Sequence, residues 1–242
     1  MGRHGTIAGR KAAQDNKRAA IFTKYARAII MAAKGGGDPS YNATLKNAID
    51  KAKSINMPND KITRAIKKGT GELEGESYET FSFEGYGPSG VAVIVDVLTD
   101  NKNRTTSAVK HAFDKHGGNL GVPGCVSYMF DRKGVILIEK TDDMDEDTIM
   151  EVGLDAGLED VIDAEDFFEI RTAPEDFLTV AEAFRNAGYE LAESDIEYVP
   201  SMEAEPKNDR DLSTLKKMID ALEENDDVQK VYTNCSIDLS DE

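Results

Sequence analysis

Cysteine is almost missing: Cys125 and Cys235 are the only two among 242 residues, and no CxxC pair occurs. That excludes a disulfide framework and a cysteine zinc site and points to a reducing compartment. Both thiols read as small buried residues on strands. The three histidines, His4, His111 and His116, are too scattered for metal-ligand spacing. No apolar run approaches the roughly 18 residues of a membrane helix. The opening residues are polar and lack the apolar stretch of a secretory signal, so a cytoplasmic protein is expected. The motifs GxxxxGK[ST], HExxH and GxSxG are absent. "GYGPSG" (85–90) does match GxGxxG, but it runs into "VAVIVDVLTD". That is a strand, not the helix that must receive a pyrophosphate, so the loop reads as a hairpin turn. Carboxylates are plentiful, yet no two are singled out as an acid/base pair. The expectation is a protein that is not an enzyme and holds no cofactor and no metal.

What is present is an uneven charge. Residues 1–70 hold 15 Lys/Arg against four Asp/Glu, in a chain whose formal net charge is −17. Residues 131–207 hold six basic and 24 acidic side chains. A basic module on an acidic body should turn its basic face to a polyanion and hold the rest away.

The basic segment reads as three short amphipathic helices. In the first, Ile21, Phe22, Tyr25, Ile29 and Ala32 share one arc. Lys17, Lys24, Arg27 and Lys34 share another, and "GGGDP" ends the helix. Lys11 and Arg18 fall on the apolar side, so the first dozen residues read as an arm or a separately angled turn. The second helix, near 42–55, aligns Leu45, Ala48, Ile49, Ala52 and Ile55. Pro58 is suited to open the third at its first position. There Ile62, Ala65 and Ile66 oppose Lys61, Arg64, Lys67 and Lys68, and Gly69 and Gly71 act as stops. Ordinary surfaces mix signs; two helices that each segregate their cations, with acid nearly absent, point to phosphate contacts.

The body reads as two α/β sandwiches. Residues 131–200 follow a β-α-β-β-α-β order, the ferredoxin-like one. Around them lie strands 78–86 and 90–99, a helix over 103–118 and a strand "CVSYMF". After the insert come a helix over 209–225 and a strand "VQKVYTNC". The expected class is α+β and multidomain. An N-terminal three-helix bundle is followed by two ferredoxin-like α/β sandwiches, one inserted in the other. The boundaries are 1–75, 76–130 with 208–242, and 131–207, with "SMEAEPKNDRD" as the returning linker. Within "TDNKNRT" (99–105), Asp100 or Asn103 suits a helix cap, while Asn101, Lys102, Asn103 and Arg104 together form a candidate second contact. "GGNLG" (117–121) reads as a helix stop and turn.

Taken together, "RKAAQD", "IFTK", "AAKGGGDP", "AIDKAK", "NMPNDKITRAIKKGTGE", "FEGYGPSGVAVIV", "TDNKNRT" and "GGNLG" resemble the YebC/PmpR family, in order and over essentially the whole chain. The opening departs from it: where many members carry a tryptophan, this chain reads "GRHGTIAGRK". The resemblance implies a helical N-terminal domain, two α/β domains and no enzymatic activity. Its bacterial members are described as probable transcriptional regulators that bind DNA. Mitochondrial relatives are translational activators, and bacterial members have been connected to ribosomes and to proline-rich stretches. By matching motif, the resemblance carries a cationic role onto Arg10, Lys11, Lys24, Lys51, Lys53, Arg64, Lys67 and Lys68. The expected partner is a nucleic acid, DNA or rRNA, with the ribosome as the alternative setting, no membrane, and a monomeric state.

Overall fold

The computed structural model describes residues 21–73, 78–141, 144–164, 166–237 and 239. Two compact units form. One gathers the described residues up to Cys125 with Glu205–Thr233; the other is Val126–Ala204 with Asn234–Ser236. Among the described residues no helix is long and apolar enough to cross a membrane.

The first unit begins with three helices: α1 over 21–33, α2 (Ala43–Ser54) and α3 (Asn59–Gly69). Asn42 builds the α1–α2 corner. Its side-chain oxygen accepts from Leu45 N–H and caps α2, while its amide donates to the carbonyls of Ala32 and Gly36; such a cap stabilises a helix by about 1 kcal/mol. α2 ends in a Schellman pattern. Asn56 takes the left-handed conformation (φ 58°), and Asn56 and Met57 donate back to Lys53 and Ala52. Met57 is thereby buried between α2 and α3. Pro58 is the N-cap of α3, one residue before the position expected for it.

The bundle core contains Leu45, Ile49, Ala52, Ile62 and Ala65, as the periodicity predicts. On α1 the deeply buried residues are Ile29, Ile30 and Ala33, whereas Ile21 is 45% exposed. The inward face is therefore rotated from the expected arc. Gly69 contributes to that rotation: a Cβ there would lie 2.4 Å from the Ile30 carbonyl oxygen and 2.6 Å from Ala33 Cβ. It is a close-packing residue at the end of α3 rather than only a stop; the chain leaves the helix through Thr70 and Gly71 (φ 81°).

The same unit holds an antiparallel sheet of order β3-β1-β2-β8: β1 (Glu79–Tyr86), β2 (Ala92–Thr99), β3 (Asn119–Leu120) and β8 (Val228–Thr233). The loop 87–91 closes the β1–β2 hairpin with a bond from Gly87 N–H to the Val91 carbonyl, and leads into a strand. β2 is buried along almost its whole length, as befits a central strand. α4 (Lys102–Lys115) and α7 (Asp209–Glu223) supply Val109, Phe113, Leu215, Met218 and Leu222 to the core. Tyr78 and Leu98 join the core of the helical bundle.

Three segments differ from the expectation. "GGNLG" contains the short strand β3, which pairs with β1. "CVSYMF" is not a strand but a 3₁₀ turn over Ser127–Met129 leading into the strand that begins at Phe130. Cys125 and Cys235 are half-buried, outside the regular strands.

The second unit is the inserted one. Its elements are β4 (Phe130–Glu139), α5 (Glu146–Leu154), β5 (Leu158–Asp163), β6 (Phe167–Thr172), α6 (Phe177–Asn186) and β7 (Glu193–Pro200). The sheet order is β5-β6-β4-β7, antiparallel throughout, which is the ferredoxin-like path expected from the sequence. Ile136, Ile138, Ile149, Phe168, Ile170, Val180 and Phe184 form its core, on the sheet face that α5 and α6 cover. A parallel bridge from Ala204 to Cys235 returns the chain.

Candidate nucleic-acid interface

α3 carries the clearest cationic surface. Lys61, Arg64 and Lys67 are exposed and Lys68 is half-buried, on the side opposite buried Ile62 and Ala65. Lys61 Nζ lies 4.9 Å from the centre of the Phe22 ring. Among the described residues no carboxylate pairs with Arg64, Lys67 or Lys68 in an ion pair. Lys51 and Lys53 sit in the last turn of α2, where cations suit the helix dipole; Lys53 is exposed and Lys51 half-buried. Tyr41, between α1 and α2, is 92% exposed and offers an aromatic face that helical periodicity does not single out.

The cations of α1 have a different fate. Lys24 Nζ donates to the Glu223 carbonyl at the C-terminal end of α7 (2.9 Å). That end has no basic residue of its own. Burial lowers the pKa of Lys24, against the raising effect of Glu223 and Asp226. Arg27 donates through Nη1 to the Asp226 carbonyl (2.7 Å) and to Asp227 Oδ1 (2.8 Å), and its guanidinium lies over the Tyr78 ring. Lys34 is exposed, with Nζ 3.2 Å from the Tyr78 carbonyl that it donates to. Arg10, Lys11 and Lys17, and the arm expected before α1, lie outside the described residues.

Asp227 is the hub that the sequence hid. Its side chain is 4% exposed and accepts from three residues. Arg104 donates from Nη2 (2.7 and 3.0 Å) and Nε (3.2 Å), Thr105 from its hydroxyl (2.7 Å), and Arg27 from Nη1. Burial works against the carboxylate, but the hydrogen bonds from Arg104 and Thr105 and the charges of Arg104 and Arg27 outweigh it. The carboxyl is held below the usual carboxylate range. Hydrogen bonds to Asp227 and Asp100 raise the Arg104 pKa.

The loop "TDNKNRT" is explained by this hub. Asn101, rather than Asp100 or Asn103, caps α4 by accepting from Arg104 N–H (3.1 Å). Asp100 instead pairs with the Arg104 guanidinium (2.8 Å). All four residues 101–104 are exposed, but Arg104 and Asn101 are engaged by the fold, while Lys102 Nζ lies 4.9 Å from the centre of the Phe81 ring. A cation in an acidic body invites a search for its carboxylate, but Asp227 is 123 residues from Arg104 and 200 from Arg27, so no local spacing identifies it.

Comparison with known proteins covers both parts of the chain. Residues 3–72 match a family model described as the TACO1/YebC protein N-terminal domain, and residues 78–235 match the TACO1/YebC second and third domain. A probable transcriptional regulatory protein of Clostridioides difficile is 54% identical over 239 residues, 98% of this chain and 100% of that protein. One of Persephonella marina is 54% identical over 230 residues, 94% of this chain and 92% of its own. The crystal structure of a conserved hypothetical protein from Aquifex aeolicus is similar with a TM-score of 0.83 at 44% identity, covering 93% of this chain and 92% of that one.

Proposed function

The chain belongs to the TACO1/YebC family, and from that premise we propose that it is a non-enzymatic nucleic-acid-binding regulator of gene expression, a DNA-binding transcriptional regulator. The observation that carries the proposal is the exposed row of Lys61, Arg64 and Lys67 on α3. It lies in a segment with 15 basic and four acidic side chains. Contacts from such a row go to phosphates, which position a protein without reading bases. Lys68, Lys53 and Lys51 extend the set, and exposed Lys102 and Asn103 form a second contact. Arg10, Lys11 and Lys17 are kept in it on sequence alone. Lys24, Arg27 and Arg104 are left out, because the protein's own carbonyls and carboxylates already engage them. Lys34 also donates to a carbonyl, that of Tyr78, but it is retained because it stays exposed and, among the described residues, meets no carboxylate. The three-part division of the chain at about 75, 130 and 207, a monomeric state and a cytoplasmic location belong to the same reading.

The charge of the inserted unit favours a second setting. Residues 131–207 carry 24 acidic and six basic side chains. Such a unit is repelled by bare duplex and tolerated beside basic proteins. In that setting the α3 cations hold rRNA and the protein is a translation factor that assists synthesis of proline-rich stretches. Crosslinking in cells, with sequencing of both the recovered DNA and RNA, tests the proposal. Discrete promoter fragments enriched over rRNA support the transcriptional reading. Crosslinks concentrated at one rRNA site replace it with the ribosomal one, and recovery of neither nucleic acid overturns both.

A further inference from the structure

The inserted unit covers only one face of its sheet. A Cβ on Gly134 would fall 2.7 Å from Phe177 Cβ, so that position of β4 faces α6. Side chains alternate along a strand; Val135 and Leu137 therefore point to the opposite face. The register places Arg171 and Asp195 beside Val135, and Glu169 and Glu193 beside Leu137. Among the described residues, no helix of this unit packs over that face; α5 and α6 contribute to the core on the other side.

This open face combines an apolar floor with an acidic rim. Val135, only 9% exposed, and half-buried Leu137 form its middle, with half-buried Ile162 and Val199 on the neighbouring strands. Asp160, Glu169, Glu193, Asp195 and Glu197 alternate among them on three strands. A groove of about 240 Å³ opens here, lined by Val135, Leu137, Val199 and Pro200, by Arg171 and Tyr198, and by Glu169, Glu193 and Glu197. Among the described residues the face carries two cations, Lys133 and Arg171, and each is committed to a carboxylate: Lys133 to Glu159 and Arg171 to Glu169, both at 2.7 Å.

We propose that this face is a docking surface for an extended, lysine- or arginine-rich segment of a partner protein. Charge complementarity selects the occupant. A sheet that binds RNA offers aromatic platforms and cations; here the middle is aliphatic, the ring of Tyr198 at the groove is engaged by Arg132 and Phe130, and both cations are neutralised. A polyanion is repelled, and a purely apolar partner would bury Asp160 and Glu193 at a cost in desolvation. An extended basic segment satisfies both parts. Its alternate side chains drop onto Val135 and Leu137 while its cations reach the rim. The excess of acid fits this role, since 24 acidic side chains over residues 131–207 far outnumber the six basic ones that could pair with them.

The proposal goes beyond the nucleic-acid reading and does not depend on it. The test uses the full chain and a labelled twelve-residue peptide alternating arginine with valine, with a glutamate-for-arginine counterpart as control. The expected result is saturable binding of the basic peptide alone, with amide shifts confined to β4, β5, β6 and β7. Glu193→Lys with Asp160→Lys should weaken it at least tenfold and leave nucleic-acid binding no weaker. Glu151→Lys with Glu182→Lys, an equal charge change on the helical side, should weaken it less than threefold. Equal weakening by the two double variants, shifts centred on α5 and α6, absence of peptide binding, or a single-stranded RNA that shifts the same sheet amides would each overturn the proposal.

Discussion

Helices α1 and α3 look alike in sequence: each is short, amphipathic and segregates its cations into one arc. Their cations end in opposite environments. Lys61, Arg64 and Lys67 of α3 are exposed to solvent; Lys24 and Arg27 of α1 are engaged by the carbonyls of Glu223 and Asp226, at and just after the end of α7, and by Asp227. A cationic arc therefore marks a surface that meets negative charge or carbonyl dipoles. It does not say whether those belong to a partner or to the same chain. The acidic body answers part of the basic segment internally, and only the remainder is free for a polyanion.

The sharpest way to break the contrast is at the hub. Asp227→Ala strips a buried carboxylate from Arg27 and Arg104 and should cost about 3–5 kcal/mol. In a chain of this size that lowers the melting temperature by on the order of 10 °C. Thermal unfolding checks it, and a shift too small to resolve would contradict the hub. At the α1–α3 packing, Gly69→Ala should cost about 1–3 kcal/mol by forcing α3 away from the Ile30 carbonyl, again read by thermal or denaturant unfolding. Asn101→Ala removes the α4 cap and should cost about 1 kcal/mol in denaturant unfolding.

Acid sharpens the same comparison. Asp227 is held below the ordinary carboxylate range in the native state. Its stabilisation is complete above the unfolded value of about 4 and is lost as pH falls through the lower native value. Unfolding free energies of the wild type and Asp227→Asn should differ by a constant amount above about pH 5 and converge on further acidification. A gap that widens in acid would reverse the assigned sign.

Much of the architecture was legible because it rests on period and caps. α2 has its expected face, and the inserted unit follows its predicted strand path. Legibility failed where the cause was distant or too short. β3 is two residues long and carries no periodic signal. The inward face of α1 is set jointly by Gly69 of α3 and by the carbonyls after α7, which a single-face pattern cannot anticipate. In "TDNKNRT" three polar side chains compete for one cap, and Arg104 makes sense only with Asp227 beside it. The exposed cations of α3 were readable because their helix packs through one face alone.

The most direct measurement is the salt dependence of nucleic-acid affinity for the wild type, Lys67→Glu/Lys68→Glu and Lys24→Met. If α3 is the grip and α1 a structural strut, the α3 variant weakens binding to any sequence. Its slope of log affinity against log salt then becomes shallower by about 0.9 for each duplex phosphate that is no longer neutralised. Lys24→Met leaves the slope unchanged. An unchanged slope for the α3 variant, or a comparable weakening by Lys24→Met, would contradict the account.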